Sequence, residues 1–123
     1  MTEISPVELA ALRCALVGAE DWRSALRDQI AKLRVVNRVY SDAGGFTSFS
    51  AQDGAQPASL PDNIMRRPPA CIVSHPALPH LGDFVVWISE GMIVGLEATA
   101  HGDGKWPVGA AVDEFTFRTE TTD

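Results

Sequence analysis

The sequence predicts an α+β domain, with an N-terminal helical pair packed on an antiparallel sheet of about five or six strands. Three observations point there. Apolar residues recur at helical spacing up to Leu33, and the period becomes strand-like from Val35 onward. The strand-like runs that follow are joined by short turns rich in Gly, Asp and Ser, the connections that antiparallel neighbours use. One stretch, Phe84 to Thr99, sets two β-branched and aromatic runs on either side of Ser89-Glu90-Gly91, which is a hairpin pattern. The 123 residues suit one domain. It divides into a helical part at 1–34, a mostly antiparallel sheet at 35–119 and a frayed tail at 120–123.

The elements follow in order. Ser5-Pro6-Val7-Glu8 is a helix start: Ser5 caps, Pro6 fits the first helical position, and Glu8 completes a capping box. Leu9, Leu12 and Leu16 continue the helix until Gly18. A second helix is expected from about Glu20 to Leu33, with Trp22, Leu26, Ile30 and Leu33 as its core stripe and Arg23, Arg27 and Lys32 pointing elsewhere. Val35 to Tyr40 and Phe46 to Ser50 read as strands around the turn Ser41 to Gly45. Ala51 to Pro69 is loop-like, with Pro57, Pro61, Pro68 and Pro69. Ala70 to Val73 is one short strand, and Ser74 to Asp83 is irregular again. After the hairpin comes the glycine-rich loop Ala100 to Val108, then a last strand from Glu114 to Thr119.

In the hairpin, a two-residue turn at Glu90-Gly91 predicts that Ser89 faces Met92, Ile88 Ile93, Trp87 Val94, Val86 Gly95, Val85 Leu96 and Phe84 Glu97. Both resulting faces are largely apolar, whereas a sheet with one wet face alternates. Helices are expected on one side and a second cover on the other: a long loop, a curled sheet or a partner subunit. The longest apolar run is far short of the ~20 residues of a membrane-spanning helix.

The formal charge is −6. Acids and bases balance through residue 82, so residues 83–123 carry the whole excess. That excess argues against nucleic acid, which calls for a basic face. It suits a basic protein partner. The interleaved charges between Arg13 and Arg38 read as a solvated helix face. Cys14 and Cys71 lie in apolar settings and read as buried free thiols. The stretch Met1 to Pro6 is acidic, breaks at a proline and lacks a basic start, so no signal peptide is read and the expected location is the cytoplasm.

Val36 through Phe49 (VNRVYSDAGGFTSF), with the downstream VVWISEGMIVGLEATAHGDGKWP, resembles a family of small uncharacterised bacterial proteins. That family pairs a Gly-Phe-x-x-Phe strand with a later Gly-x-x-x-x-Leu-Glu and a Gly-Asp-x-x-Trp-Pro ending. Here these are Gly45, Phe46 and Phe49, then Gly91, Leu96 and Glu97, then Gly102, Asp103, Trp106 and Pro107. The resemblance covers most of the chain after the first helix. It implies a compact domain and brings no activity with it. An immunity-protein-like role rests on analogy of size and acidity.

Candidate chemistry is sparse. His75, His80, His101 and Asp103 have side chains that hold zinc, but their spacing matches no metal motif, and each histidine lies beside Pro or Gly in a loop. No metal and no cofactor are expected. Glu97, at the end of an apolar strand, reads either as a carboxylate taking hydrogen bonds from the following loop or as an acid/base or partner contact. Trp106 is either a lid on the core or an exposed contact. No phosphate loop, activated cysteine or serine elbow is present, and no residue is assigned as catalytic. The expected function is therefore a non-enzymatic protein-binding domain, an immunity or inhibitor protein capping a basic bacterial partner such as a toxin. Its contact residues would be Glu90, Glu97, His101, Asp103 and Trp106. The alternatives are a small enzyme or ligand-binding domain with a pocket near Glu97, His101 and Asp103, and a self-associating structural subunit.

Overall fold

The computed structural model describes residues 2–120; the predicted tail falls outside them apart from Glu120, which follows the last strand. The first helix, α1 (Pro6–Ala15), starts as its sequence dictates. The Ser5 hydroxyl accepts from the Glu8 N–H, and the Glu8 carboxylate accepts from the Ser5 N–H, so two end donors are satisfied reciprocally. Ala11, Leu12 and Ala15 form its buried stripe. The second helix, α2 (Asp21–Gln29), is shorter than its periodicity predicts. It tightens into a 3₁₀ turn at Ile30–Lys32, and Leu33 already belongs to a strand. Val35 and Val36 follow at once, and β-branched residues favour the extended chain over another helical turn. Arg23 and Arg27 do leave the core stripe. They reach back to the end of α1, where Arg23 donates to the Ala15 carbonyl at 2.9 Å and Arg27 to those of Leu16 and Gly18 at 2.6 and 2.9 Å. The carbonyls of Ala15 and Leu16 are among those a helix end leaves unpaired.

Six strands follow: β1 (Leu33–Ser41), β2 (Gly44–Ala51), β3 (Ala70–Ser74), β4 (Gly82–Ser89), β5 (Met92–Ala100) and β6 (Thr116–Thr119). They form one sheet in the order β1-β2-β5-β4-β3-β6, with every neighbouring pair antiparallel. The β4–β5 hairpin is central, as its two apolar faces require. Helix α1 packs on β3, β4 and β6, and α2 on β5. The core between helices and sheet holds Leu12, Leu16, Leu26, Val35, Phe84, Val86, Ile93 and Leu96. Both cysteines are free; Cys71 is fully buried and Cys14 half-buried. Burial pushes the Cys71 thiol up, so it is inert as a nucleophile. Among the described residues, no helix is long and apolar enough to cross a membrane.

The hairpin turn forms where expected, with positive φ at both Glu90 (51°) and Gly91 (78°), the geometry that matches strand twist. The predicted register holds for Ser89–Met92 and Ile88–Ile93 and then slips by one. Val94 is bulged out, so Trp87 faces Gly95, Val86 Leu96, Val85 Glu97 and Phe84 Ala98. Leu96 and Glu97 thereby exchange faces relative to the regular ladder. The physical reason is burial: without the bulge, Glu97 would share the face of Phe84 and Val86 beneath the helices. A bulge costs one irregular rung, whereas a carboxylate in an apolar layer costs several kcal/mol (on the order of 2–7 for even an uncharged polar group). The helices cover only this inner face. On the outer face, Val39 is 64% exposed, Phe46 36% and Val94 38%.

Candidate functional site

The outer face is built around one cross-strand row. Val39 lies opposite Phe46, Phe46 opposite Glu97, and Glu97 opposite Val85. The Phe46 ring lies flat over Gly95, where a Cβ would fall 2.2 Å from it, so only glycine leaves room for the ring. Trp87, paired with Gly95, donates its indole N–H to Glu97 Oε1 at 2.8 Å. Val39, Ser41, Gly44, Phe46, Glu97 and Thr99 line a shallow hollow of about 400 Å³. Glu97 is half-buried there, and among the described residues no Lys, Arg or His pairs with it. An anion in an apolar hollow with one neutral donor can accept further hydrogen bonds or an opposite charge.

The residues expected to make contacts are not gathered in one place. Glu97 is at the centre of the outer face. Glu90 is exposed at the hairpin tip, roughly 20 Å away at the strand rise per residue. His101 bonds Asp83 at 3.1 Å, and Asp83 sits opposite Thr99 on the row next to Glu97. Asp103 pairs with His80 at 3.1 Å, both largely exposed. Trp106 takes the first of its two expected roles: it is 6% exposed and packs edge-on against Phe84 at 5.2 Å and stacked on Phe115 at 5.7 Å. Thus Glu97, His101 and Asp103 have three separate partners, and the hollow at Glu97 includes neither of the other two. His75 makes a further pair with Glu114 at 3.0 Å, on the ring of Phe115. Among the described residues, no group of three or more His, Cys, Asp or Glu side chains could hold a metal ion.

A second polar centre lies on the inner face. Glu8 accepts four hydrogen bonds: Ser5 N–H and Arg38 Nη2 on Oε1, both at 2.8 Å, and Arg38 Nε at 2.7 Å and Thr47 Oγ1 at 2.9 Å on Oε2. Its acceptor capacity is filled. Burial by itself pushes the Glu8 carboxyl up, but the bonds from Arg38, Ser5 and Thr47 hold it below the ordinary carboxylate range. Tyr40 contacts Thr47 Oγ1 at 3.3 Å, and burial raises its phenol above the usual value.

Sequence reasoning missed Val39, Phe46 and Trp87 as surface groups. Their spacing marks them as strand residues but does not say which sheet face the helices take. The Glu8–Arg38 pair spans thirty positions and has no local signal. No protein-family model, curated protein or solved structure matches the chain.

Proposed function

We propose that the chain is a non-enzymatic binding domain whose uncovered sheet face docks a protein partner, one that presents a Lys or Arg side chain among apolar groups. The reading rests on the unpaired Glu97 carboxylate in its apolar hollow. Apolar neighbours that exclude water around a carboxylate strengthen a charge-assisted bond to it, and Arg on the partner's side is a frequent hot-spot residue. The acidic excess of residues 83–123 adds steering toward a basic surface. An immunity- or inhibitor-like cap on a basic protein is the sharpest form of this reading, and the two free thiols suit a reducing compartment such as the cytoplasm.

The test is capture of partners from the source cell with wild type, Glu97→Lys and a control variant on the helix side, Arg13→Ala. One basic protein should be held in stoichiometric amount by wild type and by Arg13→Ala. Glu97→Lys should lose it, and added salt should weaken it. A retained set that is the same for wild type and Glu97→Lys would refute the proposal. A second copy of the chain on the same face is the other reading favoured by exposed Val39 and Phe46. It would show as a dimer at micromolar concentration that Val39→Asp dissolves.

A further inference from the structure

On the opposite side of the sheet, the first turn of α1, the end of β1 and the loop at 106–112 enclose a cleft of about 650 Å³. That volume is ordinary for a small-molecule site. Its walls are apolar: the rings of Phe84, Trp106 and Phe115, with Val7, Pro107 and Val112. Its polar end is the Glu8–Arg38 pair with Tyr40, and the hydrogen bonding there is tightly determined. Glu8 is saturated, and its charge cancels that of Arg38. Thr47 gives its one hydroxyl proton to Glu8, so in the 3.3 Å contact Tyr40 must be the donor. The phenolic oxygen of Tyr40 is left with acceptor capacity only. Arg38 uses Nε and Nη2, and its Nη1 has no partner among the described residues. The polar end therefore offers one acceptor, on Tyr40, and the two N–H groups of Arg38 Nη1, with no net charge.

We propose that this cleft binds a neutral, ring-bearing alcohol or phenol. The ring lies among the aromatic walls, where offset and edge-on contacts stabilise it. The hydroxyl donates to Tyr40 and accepts from Arg38, a pairing that neither a hydrocarbon nor an amine cation supplies. A carboxylate would bring a charge into an apolar cleft whose one cation is already neutralised by Glu8, and it has no proton to give Tyr40.

The test follows the Trp106 indole N–H of the full chain by NMR, assigned by its loss in Trp106→Phe, during titration with p-cresol, toluene or benzoate. The p-cresol should shift it at millimolar concentration, and toluene, which lacks both hydrogen bonds, should bind at least roughly tenfold more weakly. Benzoate should be weaker than p-cresol. Tyr40→Phe should weaken p-cresol several-fold and leave toluene unchanged, since the bond from Arg38 remains. Ala110→Phe, which enlarges a residue lining the cleft on the loop side, should abolish binding of both. No shift with p-cresol, equal binding of p-cresol and toluene, tighter binding of benzoate, or insensitivity to both Tyr40→Phe and Ala110→Phe would overturn the proposal.

Discussion

Glu8 does the work of a cap and of a tertiary contact with a single carboxylate. Its folded pKa lies below its ordinary value of about 4.3, so the sign of its effect on folding follows. The native state binds the proton less readily than the unfolded chain. The contribution of Glu8 is therefore complete above that ordinary value and is lost as the pH falls through the folded pKa. Replacing it by Ala removes the Glu8 half of the capping box, strips Arg38 of its counter-charge and takes away the acceptor of the Thr47 hydroxyl. The expected loss is about 2–3 kcal/mol, below the figure for a fully buried pair because Arg38 is 36% exposed. Denaturant midpoints between pH 3 and 7 check both points, since Glu8→Gln should flatten the acid limb that wild type shows. The cap was legible in the sequence as Ser5-x-x-Glu8. The pairing with Arg38 was not, because nothing in a strand's pattern says which helix will cross it.

At the scale of elements, the β4–β5 hairpin is held at its tip by a side chain from α2. Gln29 is 1% exposed. It donates to the carbonyls of Gln56 and Gly91 at 2.9 and 2.8 Å and accepts from the Ile93 N–H at 2.9 Å. Helix, loop and hairpin turn thus meet on one amide. Gln29→Ala leaves the buried Ile93 N–H without its partner and takes one bond from the Gly91 carbonyl, which keeps its bond from the Ala58 N–H, and one from the carbonyl of exposed Gln56. Destabilisation by about 2 kcal/mol is expected, within the roughly 1–3 kcal/mol of one orphaned buried group, measured by urea unfolding with near-UV spectra to confirm that the fold persists. Most elements could be read from the sequence, down to the turn at Glu90-Gly91. What could not be read was the bulge at Val94. Alternation along a strand reports two faces but not a change of phase within it, and here the phase is set by which face the helices bury.

For the whole molecule, the decisive asymmetry is that two helices cover one face of a six-stranded sheet. The composition of both faces announced a sheet that wants two covers. The described chain supplies one, and the exposed groups on the other side, Val39, Phe46 and Val94, mark what the second would bury. The contrast can be measured directly. Val39→Asp should change stability by no more than about 0.5 kcal/mol, as an exposed position does. Val35→Asp, four residues earlier on the same strand but 2% exposed, should abolish folding. Circular dichroism with thermal melts separates the two. The site itself was half legible: Glu97 stood out as a carboxylate ending an apolar strand, while its neighbours Phe46 and Trp87 come from other strands and are joined to it only by the register. The network at Glu8 has a further consequence for how the molecule comes apart. The first turn of the helix, Arg38 of β1 and Thr47 of β2 all close on one carboxylate. Fraying of the N-terminus and opening of the first hairpin are therefore one event with one free energy, and the part of the chain best placed to loosen first is instead locked into its cooperative unit.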